Sequence, residues 1–167
     1  MDHPPLALPP QFAYMLRPMN DALYSSEILR LAAEIPHIGR LDRADGSARR
    51  VSRLCGSAVE VDVRLDDDRI AEIGLEVKAC ALGQASASVL GANAIGASIE
   101  DIREARDALA AMLKGAPAPE GRFAGLAALQ SARDYPARHA SIRLAFEAAA
   151  EACDNALTTA PTATATG

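Results

Sequence analysis

Two runs of alternating apolar and polar residues, joined by a short acidic turn, constrain this chain more than any other feature. In residues 58–66, Val59, Val61, Val63 and Leu65 alternate with Glu60, Asp62 and Arg64. This period of two is the pattern of a half-buried β-strand. Asp66, Asp67, Asp68 and Arg69 then make a polar turn. Residues 70–78 return, with Ile73, Leu75 and Val77 on one side and Glu72, Glu76 and Lys78 on the other. Ile70 is out of phase with that return, which predicts a bulge or a longer turn. A hairpin comes back to where it began. Cys55, just before the outgoing strand, and Cys80, just after the returning one, are therefore expected at the same end of the sheet. Two thiols held side by side form either a disulfide or a pair of metal ligands. The small-residue run after Cys80 (Gly83, Ala85, Ser86, Ala87, Ser88) can open a helix. A thiol at a helix N-terminus meets the positive end of the helix dipole, which favours the thiolate.

The rest of the chain reads mainly as helix. Residues 24–35 carry Ile28, Leu31, Ala32 and Ile35 near helical spacing, and Pro36 stops them. His37 to Arg40 is a turn, and residues 41–50 contain a further edge strand. A helix over 84–94 ends at Gly96. Ser98 and Asp101 make an approximate capping box for a helix reaching Leu113, with Ile102, Ala105, Leu109 and Met112 or Leu113 as its buried stripe. Residues 123–129 form a short helix. Pro136 introduces the last helix over 137–155, whose inner face is Ile142, Ala145, Phe146, Ala149 and Cys153. The fold class is α+β: a small three-stranded antiparallel sheet packed against several helices. Residues 1–20, with five prolines, are a poorly ordered lead-in, 21–156 a single domain and 157–167 a disordered Thr/Ala/Pro tail.

Composition narrows the function classes. The chain has 167 residues, enough for one core, and a net charge of −5 with no basic run beyond Arg49-Arg50. Nucleic acid and anionic membrane are therefore not expected partners. Residues 1–10 have neither a basic start nor an apolar run, and no segment nears the ~20 apolar residues of a membrane span. A reducing cytoplasm is the expected compartment, where paired thiols more often bind metal or react than form stable disulfides. No phosphate-binding Gly-rich loop and no nucleophile elbow is present, so the chain is not read as an enzyme.

The candidate chemical groups follow. Cys55 and Cys80 are the leading metal or sulfur ligands. His139, in the first turn of the last helix, is the candidate third ligand. Cys153 is a core thiol, His3 and His37 occupy loops, and Asp66 to Asp68 form a solvated turn without the glycine and distal glutamate of a calcium loop.

At these residues the sequence resembles the IscU/SufU/NifU-type iron-sulfur cluster assembly scaffold family. Leu54-Cys55-Gly56-Ser57 is similar to that family's Cys-Gly-Asp. Residues 78–88, Lys-Ala-Cys-Ala-Leu-Gly-Gln-Ala-Ser-Ala-Ser, resemble its second cysteine block, and residues 135–145 the segment bearing its third cysteine. The resemblance implies an α+β fold and a scaffold that holds a transient iron-sulfur cluster, or zinc. It implies sulfur received from a cysteine desulfurase and clusters passed to apo iron-sulfur client proteins. Two positions depart from it: the carboxylate is replaced by Ser57 and the third cysteine by Ser141. A hydroxyl is a poor ligand beside a thiolate, and His139 is the expected substitute. A zinc-containing sulfur-transfer partner of a desulfurase, or an interaction module that has lost the site, are the alternatives.

Overall fold

The structure, a computed structural model, describes residues 23–159. The lead-in expected at 1–20 lies outside the described residues, as do positions 160–167 of the tail. Three antiparallel strands form one sheet in the order β1 (Gly46–Val51), β2 (Ala58–Asp66) and β3 (Arg69–Lys78). Helix α1 (Ser26–Ala33) precedes the sheet. Helices α2 (Ala81–Asn93) and α3 (Ile99–Leu113), a 3-10 segment (Gly121–Asp134) and α4 (Pro136–Thr159) follow it. The α+β architecture is the expected one.

The hairpin is in the register its alternation predicts. Val59 faces Val77, Val61 faces Leu75 and Val63 faces Ile73, and all but the half-buried Val77 are sealed in the core. The out-of-phase Ile70 is explained by a bulge. Arg64 pairs with Glu72 but Leu65 pairs with Ile70, so Ala71 is the extra residue. The bulge turns Ile70 back to the core side, where it is buried. Ala58 pairs with Lys78 at the open end, which fixes where the chain enters and leaves the hairpin.

Helix α4 lies across β1 and β2 and also packs on α2 and α3. Its buried side is largely alanine (Ala145, Ala148, Ala149, Ala152, Ala156), with Ile142, Phe146 and Cys153. Short side chains let the backbones approach closely. At Gly46 a Cβ would stand 2.0 Å from the Ala152 carbonyl oxygen and 2.5 Å from the Ala156 nitrogen. Phe146 meets Phe123 edge to face, with ring centroids 5.4 Å apart.

The helix boundaries shift where local chemistry outweighs periodicity. Helix α2 starts at Ala81, three residues earlier than its spacing suggests, with Cys80 as its N-cap residue. The capping box of α3 is complete: Ser98 Oγ accepts from the Asp101 amide, and Asp101 accepts from the Ser98 amide. The short helix expected at 123–129 is a 3-10 segment broken at Phe123. Helix α4 runs on to Thr159.

The opposite face of β2 holds a buried acid at one of the polar positions of the alternation. Asp62 takes a two-point contact from Arg40 (2.7 and 3.0 Å), the Leu41 amide at 3.0 Å and the Ser47 hydroxyl at 2.5 Å. Burial works to raise its pKa, but these donors together hold it below the usual carboxylate range. Gly74, paired with Asp62, leaves room for the covering segment, since a Cβ there would meet the Gly39 oxygen at 2.5 Å.

The close seat of α4 gives a test. Gly46→Ala forces two backbones apart and is expected to destabilise the protein by about 2 kcal/mol or more. Gly125→Ala, whose Cβ meets only Val89 methyl carbons at 3.5 Å, stays within about 0.5 kcal/mol of the parent. Urea unfolding of both variants measures the difference.

Candidate functional site

The end of the sheet where Ala58 pairs with Lys78 gathers side chains from three separate parts of the chain. The turn between β1 and β2 supplies Ser52, Cys55 and Ser57. It is closed by the Ser52 amide donating to the Ser57 carbonyl at 2.8 Å and the Gly56 amide donating to the Ser52 carbonyl at 2.9 Å. Gly56 has φ +70°, a conformation that glycine adopts at low cost. The junction of β3 and α2 supplies Cys80, whose extended backbone as N-cap residue (φ −66°, ψ 169°) leaves its side chain without a capping bond. The start of α4 supplies Ser141.

These groups form one connected cluster. The Cys55 sulfur lies 3.3 Å from Ser52 Oγ and 3.2 Å from Ser57 Oγ. Ser141 donates its hydroxyl to Ser57 Oγ at 3.1 Å. Cys80 Sγ is 3.4 Å from Ser141 Oγ. The two cysteines thus converge on a common pair of hydroxyls, as the hairpin predicts. Ser57 and Ser141, the two departures from the family pattern, stand between them and are 4% and 1% exposed. Cys55 is exposed and Cys80 half-buried, so the thiols open outward from a hydroxyl floor. Gly83 makes space for that floor, because a Cβ there would meet Ser141 Oγ at 2.7 Å.

Cys55 is held down to about 7 from its ordinary value near 9. The Ser52 hydroxyl is the largest cause, followed by the Ser57 hydroxyl and the Ser57 amide, with a smaller contribution from Ser141. A thiol can donate to one hydroxyl at a time, whereas a thiolate accepts from several. At Cys55 the thiolate is stabilised by serine hydroxyls rather than by a helix end.

His139 does not join the cluster. It lies two residues before Ser141, about 200° away around the helix at 100° per residue. Its Nε2 sits 2.8 Å from the Ala132 carbonyl oxygen, on the last turn of the 3-10 segment. Among the described residues, no group of three His, Cys, Asp or Glu side chains is placed to hold a metal ion. Cys153 is sealed in the core, and burial pushes its thiol up to about 11. His37 and the Asp66–Asp68 turn are exposed, and His3 lies outside the described residues. Sequence reasoning missed Ser52, since a serine three residues before a cysteine is no signal until the turn closes on it.

Comparison with known proteins gives consistent likenesses. The family described as the NifU-like N-terminal domain matches residues 23–141. An iron-sulfur cluster assembly scaffold protein IscU of Thermotoga maritima is 27% identical over 130 residues, covering 78% of this chain and 92% of that protein. An IscU of Archaeoglobus fulgidus is 28% identical over 107 residues, covering 64% of this chain and 70% of that one. The crystal structure of a NifU-like N-terminal protein from Brucella abortus superposes with a TM-score of 0.81 at 45% identity, over 83% of this chain and 96% of that chain.

The cluster predicts thiol reactivity. In metal-free reduced protein, iodoacetamide labelling of Cys55 rises with pH through a midpoint near 7 and levels off above it, because only the thiolate reacts. Ser57→Ala and Ser52→Ala each move the midpoint upward. Cys153 stays unlabelled until the protein unfolds. Peptide mass spectrometry across a pH series reads all of these.

Proposed function

The chain belongs to the NifU-like N-terminal domain family of iron-sulfur scaffolds, and from that premise we propose that it carries iron and sulfide through Cys55 and Cys80 during cluster assembly. The observation that supports this most is the convergence of Cys55 and Cys80 over the buried hydroxyls of Ser57 and Ser141. In the resembled family those four positions carry a thiol, a carboxylate, a thiol and a thiol. Here two thiols remain and the other two groups are hydroxyls.

This donor set suits cargo better than a resident ion. Iron-sulfur clusters are held by thiolates, commonly four. Structural zinc takes four firm ligands. Two thiolates on a floor of weak hydroxyl donors hold iron or a cluster loosely and leave open positions for a donor or an acceptor. Sulfur would come from a cysteine desulfurase as a persulfide, and finished clusters would leave for apo client proteins. The exposed Cys55, already in part a thiolate at neutral pH, is the sulfur-accepting group. Cys80, half-buried at the start of α2, is the second ligand. His139, tied to Ala132, has no part in this scheme. A zinc-dependent sulfur-transfer protein is less well served by the same residues, since it needs two further firm ligands.

Anaerobic reconstitution with ferrous iron and sulfide tests the proposal. Cys55→Ala and Cys80→Ala are each expected to lower bound iron and sulfide to the level of the double variant, with loss of the visible charge-transfer bands. His139→Ala leaves both unchanged. Ser141→Cys, which returns a third thiolate, lengthens cluster retention against a chelator. Iron and sulfide contents indifferent to both cysteines would retire the proposal in favour of an interaction module.

A further inference from the structure

We propose that this site also reduces the sulfur it accepts, with Cys80 attacking a persulfide on Cys55 to release sulfide and leave a Cys55–Cys80 disulfide. The inference rests on the sulfur-accepting role just given and adds a chemical step to it. What carries it is the arrangement of the two thiols around Ser57 and Ser141. Ser141 Oγ is 3.4 Å from the Cys80 sulfur and 3.1 Å from Ser57 Oγ, which is 3.2 Å from the Cys55 sulfur. The two sulfurs are therefore joined by two hydroxyls, with no third thiol, imidazole or carboxylate completing a metal-binding group among the described residues.

The step balances without an external reductant. First, the Cys55 thiolate attacks the outer sulfur of a persulfide donor. The donor's S–S bond breaks, its thiolate leaves, and Cys55 carries the persulfide. The Cys80 thiol then attacks the inner, Cys55 sulfur. A Cys55–Cys80 bond forms and the bond to the outer sulfur breaks. The outer sulfur takes the electron pair and leaves as hydrosulfide, so it is reduced while the two cysteine sulfurs are oxidised. The proton lost by Cys80 is the one gained by the leaving sulfur. Ser141, 3.4 Å from the Cys80 sulfur, donates to Ser57, which lies 3.2 Å from the Cys55 sulfur, so the two hydroxyls can take up that proton and carry it toward the side where the outer sulfur leaves. Two serines that ligate metal poorly are suited to this relay.

The turn that carries Cys55 can supply the approach. Cys55 is exposed, and a Cβ at Gly56 would meet nothing within 4 Å. Cys80 is fixed at the head of α2. Movement of the 52–57 turn, rather than of the helix, closes the bond. Cys153 cannot take over, since it is buried in the core.

Glutathione persulfide, added to the reduced full-length protein under argon without iron, is the probe. The wild type is expected to release about one sulfide per chain, the stoichiometry of a single disulfide, to lose two thiols and to yield a peptide cross-linked between Cys55 and Cys80. Cys80→Ser stops at a Cys55 persulfide and releases no sulfide until dithiothreitol is added. Cys55→Ser retains no sulfur, and Cys153→Ser behaves as the wild type. Ser141→Ala still forms the persulfide but releases sulfide at least about tenfold more slowly, as loss of a positioned proton carrier would give. Undiminished sulfide release by Cys80→Ser, or a wild-type persulfide that persists with both thiols otherwise intact, overturns the proposal. Reconstitution of the same batches with iron and sulfide separates the two ideas. A chain that holds a cluster through both cysteines yet forms no disulfide retires only this step.

Discussion

The closeness of α4 to the sheet is the constraint on which the rest depends. A helix faced with leucine would be held off the sheet by its longer side chains. Here the contact is made by alanines on one side and Gly46 on the other. The lowered helix carries Ser141 down to the open end of the hairpin, within hydrogen-bond reach of Ser57. Raising the helix by the thickness of a methyl group would take Ser141 out of its 3.1 Å contact with Ser57. Packing in the core thus decides whether residues from three separate parts of the chain make one site.

The site stabilises negative charge on sulfur without offering a full set of ligands. Hydroxyls are the right tool for the first task and a poor one for the second. They turn to donate to a thiolate, as at Cys55, but they do not readily ionise to bind iron. A site built this way favours traffic over storage. Its contrast with Cys153 makes the point within one chain. One thiol sits at the surface among donors and is pulled down to about 7, while the other is buried in the core and pushed up to about 11. Identical side chains are separated by their surroundings into a reactive group and an inert one.

Much of this was legible from the residues because it depends on period and adjacency. Alternation located the hairpin and placed Cys55 and Cys80 at one end. Its single defect at Ile70 foretold the bulge at Ala71. Ser98 and Asp101 announced the start of α3. What the residues did not show is tertiary or turn geometry. His139 stands near Ser141 in sequence, but a two-residue step turns it to another side of the helix, where its Nε2 meets the Ala132 carbonyl oxygen. Asp62 occupies a polar position of the alternating strand, which by itself gives no sign of its burial. Arg40 and Leu41, from a segment more than twenty residues earlier in the chain, cover it. Ser52 gave no sign at all.

The chain's own pattern determined which elements form, which face of each is apolar, and that two thiols flank a hairpin, since these follow from local propensity and periodicity. Only tertiary packing decided that Ser141 joins Ser57 between those thiols, and only the closing of the 52–57 turn set Ser52 and Ser57 around the Cys55 sulfur. The first turns on separations of a few ångströms between residues 61 and 84 positions apart, set by how closely one backbone rests on another, and the second on how a short turn closes.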